Sequence, residues 1–355
     1  MTSAVAMLKQ TANVTGRFLV LAAVSAFVGM MPAAQAEDNM AATAQPTVSA
    51  SEWSFTKQVN EVHVLFLAGH DGKAVPDLSQ NDVTVRDDNK APAAVLGFRT
   101  EKDLPLRVGV LIDTSSSVNS RFHFEQAAAS LFLRQAVNRS GDLAFVAGFN
   151  NHTTVTQDFS DNPELLAQGV QRLKADGGTA LYDAVREACQ KLQHRAEKDM
   201  VARVLVLLTD GQNNAGDANL EAAIDAAQAA EVTIYAISTN YPTSYIQQDL
   251  EAIAGNKNLH QLAEQTGGRL LTPPSAKQVE KAFLKIGDEL RNRYAVSYKP
   301  ADFAEDGHYR KIKIEARKDG HSVEIRTRKG YYARANAGSS VAAQVIDGSV
   351  TMASR

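Results

Sequence analysis

Residues 107–117 read Arg107-Val108-Gly109-Val110-Leu111-Ile112-Asp113-Thr114-Ser115-Ser116-Ser117. From Val108 to Ile112 no polar side chain interrupts the run, so it predicts a strand buried on both faces, as in the middle of a parallel α/β sheet. At its end one carboxylate and two hydroxyls stand at D-x-S-x-S spacing: Asp113, Ser115 and Ser117. Phe124, Ala127, Ala128 and Leu131 then recur at helical spacing, which completes a strand–loop–helix unit. A polar loop at the carboxyl end of a strand is where open α/β sheets hold ligands. Three oxygen donors of this type suit a hard divalent cation, Mg²⁺ or Mn²⁺.

Two further loops match the same site. Gly177-Gly178-Thr179-Ala180-Leu181 offers a threonine hydroxyl at the start of a helix, and the buried strand 204–208 ends in Thr209-Asp210-Gly211. D-x-S-x-S, G-G-T-A-L and a strand ending T-D-G, in that order, resemble the von Willebrand factor type A (VWA) domain. Any one of these motifs is weak; three in register are specific. The resemblance implies a Rossmann-like, doubly wound and mostly parallel sheet with helices on both faces. It also implies a metal-ion-dependent adhesion site carried by Asp113, Ser115, Ser117, Thr179 and Asp210. The hydroxyls are expected to meet the cation, with the two aspartates acting partly through water. One position would then stay open for an Asp or Glu carboxylate of a protein partner.

Outward from this centre, helical and strand patterns alternate from about residue 101 to 293, which predicts helices over a parallel sheet. The stretch 153–159 reads as an edge strand, and the resemblance implies that it is the one antiparallel strand of the sheet. A polar segment, 238–258, leaves the strand 232–237 on the side of the metal loops, so Asn240, Tyr241 and Tyr245 are expected to contact the partner. Asp183 reads as a helix-dipole and capping acid of the first turn.

On both sides of this region the period changes to two. Residues 59–100 and 294–334 carry alternating strands, such as Arg310-Lys311-Ile312-Lys313-Ile314-Glu315. Neither half has enough strands to bury a face alone, so they are expected to join as one small antiparallel β-sandwich-like domain with the α/β region inserted. The stretches 72–83 (GKAVPDLSQNDV) and 309–333 (YRKIKIEAR to RKGYYA) are similar to the secreted, acidobacterial-type VWFA-related proteins, a group with no implied catalytic activity.

The rest of the sequence bounds the function. Lys9 and Arg17 precede an apolar stretch, Phe18–Met31, and Ala34-Gln35-Ala36 has the A-x-A pattern. This predicts an export signal cut after Ala36, leaving no transmembrane segment in the mature chain and a secreted or periplasmic destination. Residues 37–58 have linker composition, and 335–355 read as a flexible tail. The 355 residues carry a net charge of −3, and the predicted leader holds two basic and no acidic residues, so nucleic acid is a poor partner. The sole cysteine, Cys189, reads as a small buried hydrophobe. The basic positions Arg310, Lys311, Lys313, Arg317, Lys318, Arg326, Arg328 and Lys329 read as solvated strand charges rather than a binding patch.

An enzyme is disfavoured. Phosphotransfer hydrolases with an aspartyl nucleophile need a second carboxylate two residues on, where this chain has Ser115. The G-x-S-x-G motif of serine hydrolases is absent from the sequence. Metal-dependent protein binding is therefore the leading expectation, with a scaffold holding a purely structural metal as the alternative.

Overall fold

The computed structural model describes residues 61–70, 73–100, 104–118, 121–195, 197, 201–241 and 250–333, with the backbone of 342–346 and 349–353. Only the backbone of Lys73 and Ser117 is described. The expected export signal and linker lie outside these residues.

Four strands precede the decisive one: β1 (Val62–His70), β2 (Lys73–Ala74), β3 (Val83–Asp87) and β4 (Ala94–Thr100). The apolar run is β5 (Leu106–Asp113), buried at every position as its composition requires. Then follow α1 (Phe122–Ala136), β6 (Leu143–Phe149), β7 (Thr153–Ser160), α2 (Pro163–Gln171), α3 (Leu181–His194), β8 (Ala202–Thr209) and α4 (Leu220–Ala229). The α/β part closes with β9 (Val232–Ser238), α5 (Leu250–Gln265), β10 (Leu270–Leu271) and α6 (Val279–Leu290). Helix α5 takes in the second part of the segment 238–258, with Gly255-Asn256-Lys257-Asn258 wound into it.

These strands form a six-stranded sheet in the order β10-β9-β8-β5-β6-β7. Every pairing is parallel except β6 with β7, so the edge strand is antiparallel as expected. Side chains alternate between two cores. Val108, Val110 and Ile112 face one side with α1, α2 and α6, while Leu111, Leu205 and Leu207 face α3, α4 and α5. Cys189 is fully buried in the second core, which pushes its thiol pKa up and leaves it a packing residue.

The flanking segments share a second, antiparallel sheet with β11 (Tyr294–Lys299), β12 (Tyr309–Lys318), β13 (His321–Thr327) and β14 (Gly330–Tyr332). Its order is β14-β12-β13-β1-β11-β4, with β2 on β1 and β3 on β12. Strands from both ends of the chain thus pair directly, for example Val64 with Val296 and Ile314 with Val85. Val64, Phe66, Tyr294, Val296, Ile312 and Ile314 build its core, and Lys311, Lys313 and Glu315 point outward. Asp87, buried there, accepts hydrogen bonds from the hydroxyls of Tyr298 (2.9 Å) and Tyr331 (2.8 Å). Within 335–355, Ala342–Ile346 and Ser349–Ala353 pair as a hairpin, β15 and β16. Among the described residues no helix is long and apolar enough to cross a membrane.

Asp142 ties the amino end of the central sheet together. Its carboxylate accepts from the backbone N–H groups of Leu106 (2.9 Å) and Arg139 (3.1 Å) and pairs with the Arg291 guanidinium just after α6. Removing this buried acid strands a partly buried cation and two backbone donors. Asp142→Ala is expected to cost about 3–5 kcal/mol, read as a lowered denaturant midpoint in chemical unfolding. A loss under about 1 kcal/mol would show that the pair is only a surface contact.

Candidate metal centre

Asp113 is the last residue of β5 and is 0% exposed. Its Oδ1 accepts from the backbone N–H of Ser115 (2.9 Å), and its Oδ2 accepts from the hydroxyl of Thr209 on β8 (2.6 Å). Burial pushes the Asp113 pKa up, opposed by the bonds to Thr209 and Ser115, and the Asp210 carboxylate raises it further. Thr114 is pinned by two bonds to the Phe149 carbonyl, from its N–H (2.8 Å) and its hydroxyl (2.9 Å). The backbone N–H of Ser116 then reaches the Gly177 carbonyl (3.1 Å), which joins the first loop to the second.

Thr179 lies in that second loop and is nearly buried. Its N–H donates to Asn214 Oδ1 (2.8 Å), and its carbonyl accepts from the backbone N–H groups of Asn214 and Ala215 (3.0 Å each). Asp210 follows β8 directly and is also buried; its Oδ1 accepts from the Gln212 N–H (3.0 Å). Gly211 has a φ of +81°, and a Cβ there would stand 2.5 Å from the Gly255 carbonyl of α5. Only glycine permits both that conformation and that approach. The structure therefore gathers Asp113, Ser115, Thr179 and Asp210 at the carboxyl ends of β5 and β8; the Ser117 side chain lies outside the described residues.

The segment after β9 serves this site from behind. Asn240 Nδ2 donates to the Asp210 carbonyl (2.7 Å) and to Asn256 Oδ1 on α5 (3.2 Å). The Tyr241 hydroxyl donates to Glu125 Oε1 (3.2 Å), and the Arg121 guanidinium lies over the Tyr241 ring at 5.6 Å and beside Glu125 at 3.3 Å. Glu125 is fully buried on α1, and its pKa is pushed up to about 7, chiefly by that burial, with Arg121 working in the opposite direction. Tyr245 falls outside the described residues.

Several of these groups have no sequence signal. Glu125 reads like any acid of a helix's first turn, and Thr209, Asn214 and Asn240 act only through tertiary contacts. Asp183 lies in the first turn of α3 as expected but caps nothing there: its Oδ2 accepts from the backbone N–H groups of Asp217 (2.8 Å) and Ala218 (3.2 Å), far along the chain.

The donors fit a hard divalent cation. Two carboxylates, Asp113 and Asp210, act on one another in a buried setting, and hydroxyls surround them. A cation would relieve the desolvation that holds Asp113 up. Among the described residues no group of three or more His, Cys, Asp or Glu is placed to hold a metal. Aspartate carboxylates beside serine and threonine hydroxyls are hard oxygen donors, a kind that would fit Mg²⁺ or Mn²⁺.

Residues 108–282 match the family described as von Willebrand factor type A domain. A 119-residue stretch, 33% of this chain, is 28% identical to the uncharacterized protein sll0103 of Synechocystis sp., and it spans only 28% of that protein's length. Among solved structures, the von Willebrand factor type A protein from Catenulispora acidiphila is 12% identical with a TM-score of 0.44, over 79% of this chain and 74% of that one. The von Willebrand factor domain of the type V pili tip protein Mfa5 from Porphyromonas gingivalis is 14% identical with a TM-score of 0.42, over 53% and 95%. This chain is thus a von Willebrand factor type A domain protein, with the domain at residues 108–282.

Proposed function

We propose that this chain is a non-catalytic, exported binding protein. Its VWA domain would hold Mg²⁺ or Mn²⁺ through Asp113, Ser115, Ser117, Thr179 and Asp210. When bound, the cation supplies an electrophilic centre for an Asp or Glu carboxylate of a protein partner. The observation that carries this reading is the convergence of three separate loops on one buried, hydroxyl-rich carboxylate pair.

The residues of the first loop favour binding over catalysis. An aspartyl nucleophile of a phosphotransfer hydrolase works with a second carboxylate two residues on, where this chain has the hydroxyl of Ser115. Asn240, Tyr241 and Tyr245 are proposed to bear on specificity. Asn240 supports the Asp210 loop, and Tyr241 is held in place by Glu125.

Calorimetric titration of the full chain with Mg²⁺ is expected to show one site. Asp113→Ala and Thr179→Ala should each weaken it by about tenfold or more. Unchanged affinity in both would remove the metal from this site. A partner captured from the native envelope should be released by EDTA; retention in EDTA would favour the structural-metal alternative.

The pH dependence follows from the raised Asp113 pKa. In the metal-free protein that raised value favours the protonated fold, so its contribution to stability is full at low pH and is lost as pH rises through the folded pKa. A cation needs the ionised form, so binding strengthens over the same rise. The thermal shift given by Mg²⁺ is expected to be larger at pH 7.5 than at pH 5. Equal shifts at both pH values would mean that Asp113 does not face the cation.

A further inference from the structure

The loop that follows Asp210 grips the Thr179 loop and the start of α3 through two residues that the metal reading leaves unused. Helix α3 begins after Ala180, which has no side chain able to cap it. The first donors of a helix need partners from elsewhere: the Ala180 N–H reaches the Asn150 carbonyl (2.7 Å), and on either side of it two asparagines of the loop after Asp210 accept bonds. Asn214 Oδ1 accepts from the Thr179 N–H (2.8 Å), and Asn213 Oδ1 accepts from the Tyr182 N–H (3.2 Å). In return the Thr179 carbonyl accepts two bonds, from the N–H groups of Asn214 and Ala215. Both main-chain groups of Thr179 are thereby fixed, and with them the Cα–Cβ direction that aims its hydroxyl.

The far end of this loop is anchored as well. Gly216 has a φ of +82°, and a Cβ there would fall 2.1 Å from Asp183 Oδ2. The same oxygen holds the N–H groups of Asp217 and Ala218. The segment 211–218 thus runs from one candidate metal residue, Asp210, over another, Thr179, and is tied down on α3 by Asp183.

We infer that Asn214 is a positioning residue of the metal centre, locking the Thr179 and Asp210 loops into one body before any cation arrives. The inference rests on the metal reading given above. A group that orients a metal ligand acts on affinity by preorganisation, and its loss typically costs about 10–100-fold. A purely structural hydrogen bond would instead change stability and leave the affinity of the folded protein alone.

The test uses the full chain, with Mg²⁺ as probe. Its dissociation constant is measured by calorimetry at a temperature where circular dichroism shows each variant folded. Asn214→Ala is expected to weaken Mg²⁺ by about tenfold. Asn214→Asp, which keeps the acceptor oxygen facing Thr179, should bind at least as well as the unaltered chain to within about threefold. If Asn214→Ala does not fold, Asp183→Ala replaces it: freeing the loop's far end should also weaken Mg²⁺, while unchanged affinity would overturn the inference. Unaltered binding in Asn214→Ala, or equal losses in the Ala and Asp variants, would overturn it too. Failure of the unaltered chain to bind Mg²⁺ would instead overturn the metal reading itself.

Discussion

Everything at the carboxyl edge of the central sheet depends on how a fully buried carboxylate is satisfied. Moving an ionised acid out of water costs several kcal/mol unless hydrogen bonds or a cation compensate. Asp113 meets this constraint with a hydroxyl from the neighbouring strand, Thr209, and a backbone N–H from its own loop, Ser115. The first bond needs β5 and β8 to be adjacent and parallel, as they are from Leu106 with Ala202 to Ile112 with Leu208. The second needs the chain to turn sharply after Asp113, which sends Ser115 and Ser116 back over the site. Adjacent β5 and β8 and the turn after Asp113 are thus what satisfying this one buried carboxyl group requires.

That constraint explains which parts of the molecule were legible in the sequence. The strands announce themselves by composition, since a residue buried on both faces has no polar alternative. Leu111 and Ile112 go to opposite cores and both must be apolar. The charged and apolar alternation of β12 is equally plain, because Ile312 and Ile314 face a core and Lys311 and Lys313 face water. Three of the basic positions in 310–329 are tied to acids that no local pattern reveals. Arg326 pairs with Glu289, Arg328 with Glu231 and Lys329 with Glu264, acids distant in sequence.

What could not be read is whatever exists only after folding. The start of α5 was hidden because Gly255 and the polar residues after it look like a loop. Gly255 is there because the Asp210 carbonyl comes within 2.3 Å of where a Cβ would stand. The roles of Asn214 and Asn240 are similar. Each is an ordinary turn-forming asparagine by local rules, and each bonds to the backbone of a candidate metal residue about thirty positions away. Such partners have no periodicity for a sequence to display.

The two sheets meet through α6 and the helices beside it, and this seam limits how the site can communicate. A shift of α6 on partner binding would have a covalent route into β11. Yet the carboxyl end of α6 is held on several sides. Glu289 pairs with Arg269 (2.7 Å) and Arg326 (2.8 Å), and Arg291 with Asp142 and the Ala136 carbonyl. Further bonds join the same two layers, from the Tyr332 hydroxyl to Asp225 (2.5 Å) and from Gln228 to the Tyr309 hydroxyl (3.1 Å). Moving α6 against this seam means separating partly buried ion pairs, at a cost of about 3–5 kcal/mol for each buried pair broken. A ligand shifts an equilibrium only by its difference in affinity for the two states. One carboxylate at one cation would have to prefer the shifted arrangement by about 10⁴-fold to reverse a strongly biased equilibrium. The seam therefore favours a rigid domain, in which the proposed site keeps one arrangement and any selectivity would come from the loops around the cation and the segment after β9 rather than from motion of the helix behind them.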